Sequence, residues 1–161
     1  LGAVPSDSPH TRPIKVSMSS QNALIRQQFA IEPSDYEGPV GIISILAMAL
    51  EQAGIPSLAL WAPVPHYVHN SPSPKAMFSL LLELERLLGL QFSHGTLADD
   101  AFAWERGIDE LAEGDEDLAS YVSQLETARD AADESAGSAE SLAKEFERFL
   151  AQEDGEAESG N

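Results

Sequence analysis

Pro56-Ser57-Leu58-Ala59-Leu60-Trp61-Ala62-Pro63 is the stretch on which the fold turns. Short, apolar and bounded by prolines, Ser57 to Ala62 reads as a central parallel strand buried on both faces. The strand is expected to end at Trp61, because the proline-rich stretch from Pro63 to Pro72 reads as a loop. Beyond that loop Ser73 is a good N-cap with Pro74 at the first helical position, which opens a helix running to Leu88. Ser79, Glu83 and Arg86 form its narrow polar stripe, leucines fill the remainder, and Gly89 ends it.

Upstream, Val40 to Leu50 is apolar nearly all round. Its length, Pro39 at the start and Gly54 at the end favour a helix over Pro39–Ala53. A helix without a polar face must be covered on both sides. Ile14 to Met18 alternates apolar and polar residues and suits a short strand, Ala23 to Ile31 a helix, and Leu1 to Pro9 a Pro/Ser-rich loop. Strand, helix, strand, helix in this order is the pattern of an α/β sheet with helices on its faces.

Downstream of a weak strand at Leu90–Phe92 the sequence is helical. Trp104, Ile108 and Leu111 share one face, Leu118, Tyr121, Val122 and Leu125 a second, and Leu142, Phe146, Phe149 and Leu150 a third. Asp130 to Ser138 reads as a small mobile acidic loop and Gln152 to Asn161 as a disordered tail. The resulting division is an α/β part over 1–98, a helical region over 99–151 and an acidic tail over 152–161. One strong and two weak strands are too few for helices that need a whole sheet, so further strands are expected upstream of Leu1.

Composition narrows function by exclusion. The 161 residues contain no cysteine, which removes disulfides, thiolate metal sites and a cysteine nucleophile, and a reducing cytoplasmic setting is expected. Of 27 acidic and 9 basic side chains, residues 99–161 hold 20 and 4, so most of the net charge of −18 lies there. Such a surface repels phosphate backbones and argues against nucleic-acid binding. No apolar run approaches the roughly 18–20 residues that span a bilayer.

The polar and aromatic groups useful to chemistry concentrate between Trp61 and Lys75, with His66, Tyr67, His69 and Lys75 as candidate binding residues. In open α/β sheets, ligands bind beyond the carboxyl ends of strands, where this loop should lie. His66 and His69, with His10 and His94, lack the spacing and the local carboxylates of a metal site, and neither a metal nor a cofactor is expected. Tyr36-Glu37-Gly38-Pro39-Val40-Gly41 is a Gly-rich helix entry but matches no phosphate-binding fingerprint.

Several blocks occur in one order: Pro9-His10-Thr11-Arg12-Pro13, Tyr36-Glu37-Gly38-Pro39-Val40-Gly41-Ile42, Leu60 to Val68, Pro72-Ser73-Pro74-Lys75-Ala76 and Lys144 to Leu150. Together they resemble the actinobacterial branch of the proteasome assembly chaperone two family. The resemblance implies part of a three-layer α/β/α sandwich of phosphorylase-like topology, from a protein nearly twice as long whose N-terminal half holds much of the sheet. It adds Arg12 and Glu37 to the candidate binding residues. It also implies protein partners, homo-oligomers and an assembly-chaperone role without catalysis. Archaeal relatives dock through a C-terminal hydrophobic–Tyr–any motif, which Glu158-Ser159-Gly160-Asn161 does not match. The competing expectation is a ligand-binding or ATP-dependent ligase or transferase-like enzyme, its site completed by the other half. Lys15, Lys75 and Lys144 do not display the paired lysines that such an enzyme would use.

Overall fold

The computed structural model describes residues 1–32, 41–68 and 72–158, the last twenty or so of these by their backbone alone. It is a mixed α/β protein, as the sequence pattern predicts. A three-stranded sheet of β1 (Gly2–Ser6), β2 (Ser17–Ser19) and β3 (Ala59–Pro65) carries five helices. These are α1 (Ala23–Gln28), α2 (Ile42–Gln52), α3 (Pro74–Leu88), α4 (Leu97–Glu113) and α5 (Glu116–Glu158).

β3 is the central strand, parallel to β1 and antiparallel to β2. Leu60 and Ala62 are buried on one face of the sheet, where α3 packs, and α4 packs on α3 in turn. The strand does not stop at Trp61 as expected but continues through Pro63 and Pro65. The reason lies in the ladder. Ser17 Oγ donates to the Trp61 carbonyl, so that carbonyl faces β2, and a period of two turns residues 63 and 65 to the same side. β2 has already ended there, and proline removes the N–H that a partner strand would have had to accept.

β1 corrects the reading of Leu1 to Pro9 as loop: Gly2 to Ser6 pairs with Trp61 to Pro65. A Cβ on Gly2 would stand 2.5 Å from the Trp61 ring, so any larger residue there would force that ring to shift. β2 is shorter than expected and shifted, while Ile14 and Val16 line a groove between α3 and α4 instead. The weak strand at Leu90–Phe92 does not form. After Gly89, whose left-handed φ of 63° ends α3, the chain folds back: the Leu90 N–H donates to the Glu85 carbonyl and the Phe92 N–H to the Glu85 carboxylate.

The α3 signals act as predicted, with Ser73 Oγ accepting from the Ala76 N–H and Pro74 opening the helix. α2 begins after Gly41, and Pro39 lies outside the described residues. Far from being covered on both sides, α2 leaves Ile42 78% exposed, with Ile43, Ile45, Leu46 and Met48 also exposed. α5 is one helix of 43 residues, so the loop expected at Asp130–Ser138 is absent. Ala128, Ala131, Ala132 and Ala136 are strong helix formers that offset the lone Gly137, whose cost is about 1 kcal/mol. Scarcity of apolar residues there marked solvent exposure, not a break. Helix also continues into the stretch read as a tail, as far as Glu158. The apolar face expected from Leu142, Phe146 and Phe149 lies outside the described side chains.

Candidate functional site

The segment joining β1 to β2 crosses the carboxyl ends of β1 and β3, and His10 is its anchor. Only 2% exposed, His10 is the one buried polar residue among those described. Its ring Nε2 lies 3.0 Å from Asp109 Oδ1 and its Nδ1 2.8 Å from the Tyr67 hydroxyl. The His10 backbone N–H donates to the same hydroxyl at 2.9 Å. One neutral arrangement satisfies all three contacts. Nε2–H donates to the carboxylate, and the Tyr67 O–H donates to Nδ1 while its oxygen accepts the backbone N–H. Burial pushes the Tyr67 hydroxyl pKa upward, which keeps this donor protonated.

Lys75 projects from the first turn of α3 to the same place. Its Nζ donates to the His10 carbonyl and to Glu105 Oε2, both at 2.5 Å. Tyr67 and Lys75 are thus brought together, and His10 is what they meet on. His66 stands beside them in the single 3₁₀ turn His66–Val68 that follows β3. Its Nδ1 is 3.1 Å from Asp7 Oδ1 and its ring packs edge-on against Tyr67 and Tyr121. The Tyr121 hydroxyl donates to Asp7 at 3.4 Å.

Arg12 lies on the outer flank. It donates to Asp130 from Nε at 2.8 Å and Nη2 at 2.7 Å, and from Nη1 to Glu126 at 3.1 Å. Lys15 continues the strip with Asp133 at 2.6 Å. The connector between β1 and β2 is therefore clamped on α5 by charge. Of the candidates read from sequence, His66, Tyr67, Lys75 and Arg12 share this region, whereas Glu37 and His69 lie outside the described residues. His94 is separate, paired with Glu85 at 2.9 Å beside Phe78. Sequence reading missed the partners Asp109, Glu105 and Glu126, which sit in acidic helices that read as solvated faces, and Asp130, which opens the stretch that read as an acidic loop. The signal for His10 was its place between Pro9 and Pro13.

Asp130 and Asp133 are held below the ordinary aspartate range, chiefly by their hydrogen bonds from Arg12 and Lys15 respectively. A carboxyl with a depressed folded pKa contributes stability that is full above its unfolded pKa, about 4. That contribution is lost as pH falls through the folded value. Arg12→Gln should accordingly lower the urea midpoint modestly at pH 7, with the difference from the parent shrinking below about pH 4. Added salt should shrink it too, because Asp130 is exposed and Arg12 partly so. A difference that persists unchanged into acid would assign the effect of Arg12 to packing instead.

Beside the cluster, Val4, Pro5, Val64, His66, Ala76 and Met77 help to line an apolar groove of about 400 Å³ between β1, β3 and α3. The model of the PAC2 family matches residues 1–112, well over half of the chain. The chain belongs to the PAC2 family. A PAC2 family protein from Streptomyces avermitilis is 43% identical with a TM-score of 0.67, the match covering 74% of this chain and 50% of that one. A proteasome-assembly chaperone homologue from Mycobacterium tuberculosis is 42% identical with a TM-score of 0.64, covering 74% and 51%. A protein of unknown function from Mycobacterium tuberculosis has a TM-score of 0.73 at 29% identity, covering 83% and 46%. This chain spans about half the length of the PAC2 structures it matches. Comparison with the curated proteins returned no match. No helix among the described residues is long and apolar enough to cross a membrane.

Proposed function

We propose that this PAC2 chain is a non-catalytic, assembly-chaperone-like module that works by docking against protein surfaces, a second copy of itself included. The carrying observation is the chemistry of α2. Ile42, Ile43, Ile45, Leu46 and Met48 are exposed together on a helix that has no charged residue before Glu51, in a chain of net charge −18. Exposed apolar area of this kind drives association. The candidate polar residues support the same reading, because Tyr67, Lys75 and Arg12 are spent on holding His10 and α5 in place. The likeness to a proteasome-assembly chaperone homologue from Mycobacterium tuberculosis supports a chaperone role.

Light scattering on a sizing column tests the association. The parent should run as an oligomer, and Leu46→Asp should shift it towards monomer with its helical circular dichroism retained. A parent that is monomeric at all concentrations would overturn the self-association. The chaperone role is tested by following proteasome assembly from purified subunits with and without the protein. No change in rate or in intermediates would overturn it.

One observation favours a second reading, in which a small ligand is bound. The 400 Å³ groove lies along two parallel strands with His66 among its lining residues, and its size falls within the usual range for ligand pockets. Met77→Trp should fill it. Under the docking reading that change leaves oligomer size and assembly activity intact, whereas loss of activity at unchanged oligomer size would favour a ligand.

A further inference from the structure

Trp104 Nε1 and Arg129 Nη2 are buried donors with no acceptor among the described residues. They come from different helices, α4 and α5, yet both line one cavity of about 10 Å³ under the β1–β2 connector. We infer that this cavity is a binding site for a single water molecule that locks the connector, β3, α4 and α5 together.

Size, donor count and ladder geometry converge on this occupant. A cavity of this volume holds about one water, and a buried water makes about three hydrogen bonds to groups otherwise left unsatisfied. Two orphan donors call for two lone pairs, which a water oxygen supplies. Its two hydrogens then need acceptors. Pro63 and Pro65 also line the cavity, and the alternation of β3 turns their peptide groups to the side where β2 has ended. That stretch of strand edge offers carbonyls and, because both residues are proline, no N–H. The water thus stands where a ladder partner would stand, accepting from Trp104 and Arg129 and donating towards the strand.

A halide would satisfy the two donors but not the carbonyls, and the cations nearby are already matched. Arg129 Nε is 3.2 Å from Asp133, Lys75 is held by Glu105, and Arg12 by Glu126 and Asp130. A water-filled joint also accounts for Pro63 and Pro65 in a central strand, where proline is ordinarily excluded.

The chain has only two tryptophans, so the test can be read at one atom. In the full-length ¹⁵N-labelled protein, Trp61→Phe and Trp104→Phe assign the two indole N–H signals. The Trp104 signal should show cross-peaks to water of opposite sign in NOE and ROE spectra, the signature of a water held longer than the tumbling time. The Trp61 indole, which donates to Ser19 Oγ at 3.3 Å, is the internal reference. Arg129→Met should weaken the Trp104–water cross-peak at least several-fold while helical circular dichroism is retained. No water cross-peak at Trp104 would overturn the site. A Trp104 signal that shifts when bromide replaces chloride would overturn the identity of its occupant, and a cross-peak indifferent to Arg129→Met would overturn the bridge.

Discussion

Replacing His10 by alanine is expected to remove about 3 kcal/mol of stability, the sum of a charge-assisted hydrogen bond, a neutral one and the cavity left by a buried ring. For a chain of this length that corresponds to a fall in melting temperature of roughly 6–12 °C. The size of the effect follows from position. His10 is 2% exposed, and its ring joins Asp109 of α4 to Tyr67 in the turn after β3, while its carbonyl holds Lys75 of α3. The backbone contacts survive the substitution, but both ring contacts vanish. His66→Ala is the control, since His66 lies on the surface and its pair with Asp7 is exposed at both ends. That change should cost less than about 1 kcal/mol. Equal losses from the two variants would show that the buried ring does not tie the three elements together.

What made β3 and α3 legible was local chemistry. A proline-bounded apolar run, a serine cap with proline after it, and a glycine at the helix end each act within a few residues; the cap and the glycine act as read, while the strand forms at the expected place but runs from Ala59 to Pro65. β1 was not legible because Gly2-Ala3-Val4-Pro5-Ser6 has neither apolar alternation nor β-branched density. It is a strand only because the Trp61 edge of β3 lies beside it. α5 was misread for the converse reason. Periodicity reports where a helix is buried, so a helix whose middle is exposed loses the signal without losing the helix. At the candidate site the sequence offered His66, Tyr67, Lys75 and Arg12 through their loop context and the family resemblance. It hid Asp109, Glu105, Glu126 and Asp130, because an acidic residue that pairs across 30 to 118 positions looks the same in sequence as one that faces water. The exposed face of α2 departs from the reading of its all-round apolar sequence as a helix covered on both sides, because an apolar run reports what a helix can bury and not what covers it.

Leu60→Ala is expected to be the most damaging single truncation, at about 2–5 kcal/mol. Besides Pro9 and Pro65, the buried apolar residues among those described are Leu60, Ala62, Ala76, Ala101, Ile108 and Val122, and alanines make up half of these six. Alanine has little side chain to lose, so the hydrophobic stabilisation of this core rests on its few larger members. Leu60 sits in the central strand opposite Met18 of β2, beneath the helix that packs on β3. Removing its isobutyl group opens a cavity that strands paired on both sides cannot close, because moving β3 would break the ladders with β1 and β2 together. Leu58 lies just before the strand and is only partly buried, so Leu58→Ala should cost less than half as much. Urea unfolding of the two variants beside the parent reads the difference directly. A protein with total stability of about 5–15 kcal/mol would keep a measurable folded baseline after the Leu58 change and come close to losing it after the Leu60 change. A Leu60→Ala loss no larger than that of Leu58→Ala would mean that the core is not centred on β3. The reading of Ser57 to Ala62 as the core of the strand that organises the sheet would then fail with it.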